Sequence, residues 1–165
     1  MALAVLVVMQ PTTASLLRWL PLVAAGAVLR TWARGHIDRN VYLAQRGPYA
    51  LMRHPLYVGS FCMGFGIAAM SRSVALTALF VAVFLAMYLP KAAREEAFLA
   101  GKYGEAWARY ARAVPAVVPV PGRRAPRAAP PVRFSWKRVW RNREWQTWLG
   151  LLGALLAVWL HTLWR

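Results

Sequence analysis

The stretch "LYVGSFCMGFGIAAMSRSVALTALFVAVFLAMYL", residues 56–89, decides the fold. It consists of two uncharged apolar runs, Leu56–Met70 and Val74–Leu89, joined by a short connection that carries a single charge. Crossing the hydrocarbon core of a bilayer takes about 20 apolar residues, and flanking residues extend a shorter run. The stretch therefore predicts two neighbouring transmembrane helices that form a tight helical hairpin.

The composition of the whole chain supports a membrane protein. Of its 165 residues, 59% are hydrophobic, which is more than a soluble domain of this size buries in one core. Lys and Arg number 21 against 5 acidic residues, and this balance suits either nucleic acid or an anionic membrane surface. Because the apolar runs lack charge, we expect a bilayer with anionic headgroups as the partner and no nucleic acid. The single cysteine excludes a disulfide framework within the chain.

Two further apolar stretches, Thr13–Leu29 and Thr147–Leu163, are also close to the length of a span. The sequence therefore predicts an all-α, polytopic transmembrane helical bundle of about four spans. The apolar segment Met1–Met9 is too short to cross as a helix. It lacks the basic start of a secretory signal, so we expect it to be retained. Whether residues 1–10 span as a fifth element, re-enter or lie on the membrane stays open.

The basic residues give the expected orientation. Lys and Arg concentrate in the connection after the first span and in residues 91–143. Because Lys and Arg near the ends of spans remain in the cytoplasm, both segments are predicted to face the cytoplasm. Arg72, at the tip of the hairpin, is then predicted to lie on the opposite side of the membrane.

The chain beyond the hairpin divides into three parts. Residues 91–114 combine aromatic side chains at helical spacing with opposite charges four residues apart. This pattern predicts an amphipathic helix at the membrane surface, interrupted at one of its two glycines. Residues 120–133 are rich in Pro and Arg and are typical of an extended linker. Residues 134–165 alternate Trp with Lys and Arg before the last span, which indicates an interfacial anchor, and residues 1–119 remain as the membrane core.

Polar chemistry is concentrated in "GPYALMRHPLYVG", residues 47–59, at the start of the second span. Pro55 suits the first position of a helix, and the three amides after it are then expected to be unpaired. Such a helix start favours an anion, and Arg53 adds a positive charge beside it. The alternative is that Arg53 and His54 only extend towards the lipid headgroups.

Two of the five acidic residues, Glu95 and Glu96, lie just beyond the third span. Glu95 has a simple structural explanation, a helical ion pair with Lys91. Placed opposite the Arg53–His54 helix start, however, the two acids would form a pocket with cationic and anionic walls. No HExxH, CxxC, P-loop or GxSxG motif occurs, and the three histidines are scattered, so we expect no metal site.

Two blocks, "GPYALMRHPLYVG" at 47–59 and "EEAFLAGKYGEAWARYARAVP" at 95–115, resemble the isoprenylcysteine carboxyl methyltransferase and phospholipid methyltransferase group of integral membrane enzymes. One helical hairpin separates the blocks, as in that group, and the resemblance covers residues 41–119. The few N-terminal spans are similar to those of bacterial-type minimal relatives. The resemblance thus implies a bacterial inner-membrane protein, and the charge distribution described above places its active site on the cytoplasmic side, covered by the amphipathic helix.

The activity that the resemblance implies is methyl transfer from S-adenosyl-L-methionine to a lipid-embedded or hydrophobic acceptor. A prenylcysteine carboxylate is one precedent for the acceptor, and a phospholipid amine is the alternative. A further alternative is a non-catalytic membrane assembly protein. The sequence gives no expectation for the oligomeric state.

The resemblance also implies the site residues. It places Lys91 at the position of a basic residue near the acceptor. The chemistry of the residues adds Arg53 and Glu96 to the catalytic set, with Glu96 as the general base for an amine acceptor. Lysine keeps the charge of the usual arginine but loses its bidentate grip on a carboxylate. The expected contacts to the cofactor are Val41, Tyr42, Leu43, Ala44, Tyr49, His54, Pro55, Leu56, Tyr57 and Glu95.

Overall fold

A computed structural model describes residues 9–38, 41–125 and 132–164, and every regular element within these ranges is helical. The all-α prediction is thus confirmed for the described residues. The expectations for residues 1–8 and for the linker at 126–131 fall outside the described ranges. The elements are α1 (Thr13–His36), a 3-10 turn (Gly47–Ala50), α2 (Pro55–Met70), α3 (Val74–Ala113), α4 (Trp136–Arg141) and α5 (Glu144–Trp164).

The α1 helix begins at a capping box and runs antiparallel to α2. The side chains of Thr12 and Ser15 each accept a hydrogen bond from the other residue's backbone amide, which satisfies two amides at the helix start. The Ser15 hydroxyl also donates to the carbonyl of Met70, 2.9 Å away, at the end of α2. The start of α1 therefore lies beside the end of α2, and the end of α1 lies beside the start of α2.

Small residues let α1 and α2 approach closely. A Cβ added at Gly26 would lie 2.6 Å from the carbonyl oxygen of Gly59, and one added at Gly59 would lie 2.7 Å from the carbonyl oxygen of Gly26. Distances this short leave no room for a methyl group, so the two backbones are in direct contact. This contact fixes the position of the first turns of α2 relative to the C-terminal half of α1.

Replacing Gly26 with Ala is expected to lower the free energy of unfolding by about 1–3 kcal/mol, because the added methyl group forces the two helices apart. The matched control is Gly150→Ala in α5, where nothing lies within 4 Å of an added Cβ. That change should raise stability by up to about 1 kcal/mol, since alanine favours a helix interior. The free energy of unfolding of both variants is measured by adding dodecyl sulfate to the protein in neutral detergent while circular dichroism monitors the loss of helix. Equal shifts in the two variants would contradict the close contact.

The predicted hairpin is present, with α2 and α3 joined at Ser71–Ser73. By length and composition, two of the described helices can cross a membrane, α3 and α5, while α2 is a shorter apolar helix. The apolar window of α3 has a mean hydropathy of 1.9 and none of it is buried in the protein. The core helix of a soluble protein would be buried, so this surface is suited to lipid. Four spans remain a prediction.

The third predicted span continues without a break into the amphipathic segment as far as Gly104, where a kink separates a second, short helical stretch within α3. Pro90 lies inside α3 and removes one intrahelical hydrogen bond without ending the helix. The only non-helical residue within α3 is Gly104, at φ 47° and ψ −123°, a conformation that glycine adopts at little cost. The predicted interruption is therefore at Gly104. The amphipathic segment is helical and directly continues the apolar part of α3, and its location at the membrane surface stays a prediction.

The C-terminal part packs on the end of α1. Asn142, in the turn between α4 and α5, donates from its side-chain amide to the carbonyls of Arg34 and Ile37, both 3.1 Å away. The guanidinium of Arg138 donates to the carbonyl of Gly35 at 2.9 Å. These bonds satisfy carbonyls that the end of a helix leaves unpaired. Farther along α5, Val158 is buried in the main apolar cluster with residues of α1 and α2.

Candidate active site

A cavity of about 640 Å³ lies between the C-terminal half of α1, residues 42–57 and the charged half of α3. This volume is within the range of about 300–1,000 Å³ that is common for small-molecule sites. Every residue predicted for the site contributes to the cavity wall except Val41 and Glu96. Val41 is 70% exposed, and Glu96 contacts the wall residues Arg53 and His54.

The first turn of α2 is fixed to the segment that follows α3. Pro55 is the first residue of α2, as predicted, and His54 before it has non-helical backbone angles. The amides of Arg53 and His54 donate to the carbonyls of Pro115 and Ala116, at 2.9 and 3.0 Å. The two sequence blocks that carry the family resemblance are therefore joined directly by backbone hydrogen bonds.

The prediction of three unpaired amides at this helix start is wrong for two of them. The amides of Tyr57 and Val58 both donate to the carbonyl of His54, at 3.1 Å. Since the residue before a helix commonly supplies the first intrahelical acceptor, these amides are not available to an anion.

Arg53 connects the start of α2 to the end of α3. Its Nη1 donates to the carbonyls of Ala111 and Val114, at 2.9 and 3.0 Å, and its Nε donates to Glu96 Oε1 at 3.0 Å. A cation at the C-terminus of a helix is favourable, and here it also satisfies otherwise unpaired carbonyls. The interpretation that Arg53 only extends to the headgroups is wrong, because its side chain is held inside the protein.

His54 and Glu96 form a second contact beside Arg53. The Nε2 of His54 lies 2.8 Å from Glu96 Oε1, and the imidazole ring stacks on Tyr57 with centroids 5.3 Å apart. Because an ionised carboxylate only accepts hydrogen bonds, Nε2 is the protonated nitrogen in this contact. The stacked ring and the carboxylate together fix the orientation of His54, which is buried.

The surroundings of Glu96 do not suit the general base predicted for it. Burial alone would raise its pKa, but the hydrogen bonds from His54 and Arg53 outweigh burial, so the pKa of Glu96 is lowered. A carboxylate with a lowered pKa is a weak proton acceptor at neutral pH. In this arrangement Glu96 positions Arg53 and His54.

The other acid, Glu95, faces the cavity and is bonded to an aromatic residue. The hydroxyl of Tyr57 donates to Glu95 Oε2 at 2.5 Å. The Lys91 ammonium lies over the rings of Tyr57 and Tyr88, 5.8 and 5.6 Å from their centroids, in cation–π geometry. The alternative explanation of Glu95, a helical ion pair with Lys91, is not observed between these two described residues. Glu95 thus presents a negative charge to the cavity.

Tyr49 contributes a buried hydroxyl to the cavity wall. The residue is 6% exposed, and its hydroxyl has no hydrogen-bond partner among the described residues. Burial raises the pKa of Tyr49, so the phenol stays protonated and its O–H remains a donor. Its backbone carbonyl accepts a bond of 2.8 Å from the hydroxyl of Tyr110, which holds the residue in place. A buried polar group without a partner is unfavourable by about 1–3 kcal/mol, so this hydroxyl indicates the place of a ligand group.

The sequence interpretation missed a buried ion cluster at the other end of the cavity. Glu144, the first residue of α5, is 1% exposed. Its carboxylate accepts from Nε and Nη2 of Arg30, at 2.9 and 3.1 Å, and from Nε of Arg34, at 3.0 Å. Both arginines line the cavity. The available signals were two arginines one helical turn apart and one of only five acids in the chain, placed directly before an apolar run.

A metal centre is not apparent in the part of the chain that the structure describes. There, no three or more His, Cys, Asp or Glu side chains lie close enough together to hold a metal ion. The three described histidines belong to separate helices or helix starts.

Comparison with known proteins gives a family and several relatives. A family model described as phospholipid methyltransferase matches residues 18–106. A cobalt-zinc-cadmium resistance protein of Cupriavidus metallidurans is 39% identical over 99 residues, 59% of this chain and 45% of that protein. A nickel-cobalt-cadmium resistance protein of Alcaligenes xylosoxydans xylosoxydans is 35% identical over 99 residues, 59% of this chain and 46% of that protein.

A third relative carries an enzyme name. The protein-S-isoprenylcysteine O-methyltransferase of Schizosaccharomyces pombe is 30% identical over 83 residues, 50% of this chain and 35% of that protein. The aligned part of the chain thus spans less than half the length of each of these relatives. No solved structure matches the chain.

Proposed function

The chain belongs to the phospholipid methyltransferase family, and from this premise we propose that it transfers a methyl group from S-adenosylmethionine to a hydrophobic or lipid-embedded acceptor. The observation that carries the proposal is the cavity, whose wall combines Glu95 and His54 with the unpartnered hydroxyl of Tyr49. The similarity to a protein-S-isoprenylcysteine O-methyltransferase supports the same chemistry.

The residues of the cavity fit this cofactor. S-adenosylmethionine has a sulfonium, an ammonium and a carboxylate, and therefore needs acceptors and donors within one site. Glu95 provides a negative charge, His54 and Tyr57 provide polar groups on aromatic rings, and Tyr49 provides a further aromatic ring in the wall. We propose that these residues hold the cofactor together with Tyr42, Leu43, Ala44, Pro55 and Leu56 of the same wall.

When bound, S-adenosylmethionine supplies a methyl group on an activated carbon, and transfer breaks its bond to sulfur as the bond to the acceptor forms. The main work left for the protein is to align the reactants and to exclude water. Glu96 contributes by fixing Arg53 and His54, so that this part of the wall is rigid before any ligand enters. Lys91, on the α3 side over two aromatic rings, is assigned to the acceptor.

The side of the membrane also belongs to the proposal. All the elements of the cavity wall carry basic residues, among them Arg34, Arg46 and Arg94. Because such residues remain on the cytoplasmic side, we place the cavity at the cytoplasmic face of a bacterial inner membrane. A soluble cofactor is then able to reach the site from water, while the acceptor approaches within the bilayer.

The test is to incubate membranes containing the protein with methyl-labelled S-adenosylmethionine and to follow the label into the lipid fraction. The expected result is an organic-soluble labelled product that host membranes without the protein do not form. Alkaline treatment releases labelled methanol from a carboxyl methyl ester but leaves a methylated amine intact. It therefore separates methylation of a carboxylate, as in a prenylcysteine acceptor, from the alternative of phospholipid amine methylation.

The competing proposal is a non-catalytic assembly protein. If the purified chain binds no S-adenosylmethionine and membranes that contain it label no lipid, the enzyme proposal is wrong and this alternative is favoured.

A further inference from the structure

We propose that Arg30, Arg34 and Tyr49 form a binding subsite for an oxyanion, carboxylate or phosphate, on the methyl acceptor, and that Glu144 positions the two arginines for it. The assignment of the bound anion to the methyl acceptor rests on the proposed function. The existence of the anion subsite itself rests on the charge, the burial and the geometry of these four residues.

The first argument is the charge balance at this end of the cavity. Two guanidinium groups, whose side chains are 12% and 14% exposed, share the single carboxylate of Glu144. The other acids on the wall do not offset these two cations, since Asp38 pairs with Arg141 at 2.6 Å and Glu95 lies on α3, where Lys91 and Arg94 also line the cavity. A positive charge is therefore left in excess at a sparsely hydrated wall. An anion that entered the cavity would balance this charge.

The second argument is the Tyr49 hydroxyl, which lacks a partner while lying in the wall of the same cavity. Both Arg30 and Arg34 are close enough to this phenol to act on it electrostatically. An oxyanion accepts several hydrogen bonds, so it is able to receive the tyrosine O–H together with a guanidinium N–H of Arg34. Arg30 contributes its charge, since its five N–H groups already donate to Glu144, Leu56, Ser60 and Thr147. A cationic or neutral apolar ligand group would satisfy neither the hydroxyl nor the charge.

The third argument assigns the anion to the acceptor. Nη1 of Arg30 donates to the hydroxyl of Ser60 and to the carbonyl of Leu56, in the first two turns of α2. Ser60 and Tyr88 belong both to the polar cavity and to an apolar groove of about 520 Å³ between α2 and α3. The groove is otherwise lined by Leu76, Leu79, Phe80, Val83, Phe84 and Met87.

The groove and the cavity therefore meet beside Arg30. A molecule with an apolar tail in the groove places its head group at this junction. S-adenosylmethionine has no apolar tail, so the groove distinguishes the acceptor from the cofactor. The acceptor class that follows is an amphiphile with a negatively charged head.

The experiment uses the purified full chain in nanodiscs of phosphatidylcholine. Three probes share the same eight-carbon tail and differ in the charge of the head group: octanoate, octyl phosphate and octylammonium. Calorimetric titration, corrected with empty nanodiscs, is expected to show binding of at least one of the anionic probes and at least tenfold weaker binding of octylammonium. Arg34→Gln is expected to weaken binding of the anionic probe at least tenfold. Tyr49→Phe, which removes only the hydroxyl, is expected to weaken it about three- to tenfold.

The matched control is Arg94→Gln, which removes a positive charge from the α3 side of the same cavity, at a residue that does not pair with Glu144. Its effect on the anionic probe is expected to stay within about twofold. Equal losses in Arg34→Gln and Arg94→Gln would overturn the subsite, because they would indicate a general electrostatic effect. Octylammonium binding as tightly as octanoate and octyl phosphate would overturn it as well.

Titration of S-adenosylmethionine into the same variants separates the two possible sources of the anion. If Arg34→Gln weakens cofactor binding tenfold but leaves octanoate and octyl phosphate unchanged, the inference is wrong and the arginines bind the cofactor carboxylate. If the wild-type chain binds no cofactor, the proposed function fails while the anionic probes still decide the subsite. If Arg34→Gln does not fold, Tyr49→Phe decides alone, because its hydroxyl has no partner among the described residues to lose.

Discussion

Replacing Glu144 with Gln is expected to lower the free energy of unfolding by about 3–5 kcal/mol, which is the usual consequence of removing one partner from a buried ion pair. The substitution preserves the size of the side chain but leaves Arg30 and Arg34 without the carboxylate that both contact. Dodecyl sulfate titration of the protein from neutral detergent, followed by circular dichroism, measures the change.

The control for this prediction is Glu105→Gln, because Glu105 is an exposed acid just beyond the break in α3. Its effect should stay within about 0.5 kcal/mol. A loss of less than about 1 kcal/mol in Glu144→Gln would show that water already compensates the two guanidinium groups. Replacing all three charged residues together with apolar residues of similar size should restore much of the stability, since no unbalanced charge is then buried.

Removing either His54 or Glu95 is expected to weaken S-adenosylmethionine binding about ten- to hundredfold. Each substitution with Ala leaves a polar or charged group of the cofactor without its partner, at about 1.5–3 kcal/mol for a buried hydrogen bond to a charged group. Calorimetric titration of the solubilised variants gives the affinities, and circular dichroism checks that the helices are intact.

Lys91→Ala serves as the comparison for these two variants. Because Lys91 is assigned to the acceptor, cofactor affinity should stay within a few-fold of the wild type while turnover falls. Unchanged affinity in both His54→Ala and Glu95→Ala would contradict the proposed cofactor site. The same loss in all three variants would point to a general disturbance of α3 and the start of α2.

The features that sequence interpretation predicted well are local ones. The hairpin follows from two apolar runs with three residues between them, and Pro55 marks the start of α2 because it suits a first helical position. Only glycine readily adopts the backbone angles seen at Gly104, so the break within α3 was also predictable, although the choice between two glycines was not. Each of these depends on residues close together in the chain.

Other features depend on competition between partners that the sequence does not rank. Helical spacing favours Lys91 as the partner of Glu95, but the hydroxyl of Tyr57 on the neighbouring helix reaches the carboxylate instead. Similarly, Pro55 correctly marks the helix start, yet the carbonyl of His54 accepts the amides that were expected to be unpaired. The cluster of Arg30 and Glu144 joins residues 114 positions apart and requires the packing of α5 against α1.

The location of Glu144 restricts how parts of such proteins can be exchanged. This residue lies beyond the stretch that matches the family, yet its carboxylate forms ion pairs with two arginines that lie within it. A chimera that takes its last helix from a relative lacking an acid at this point would inherit two buried cations with no counter-charge. The C-terminal helix and the arginines of α1 therefore have to be inherited, transplanted or redesigned together, even though more than a hundred residues separate them in the gene.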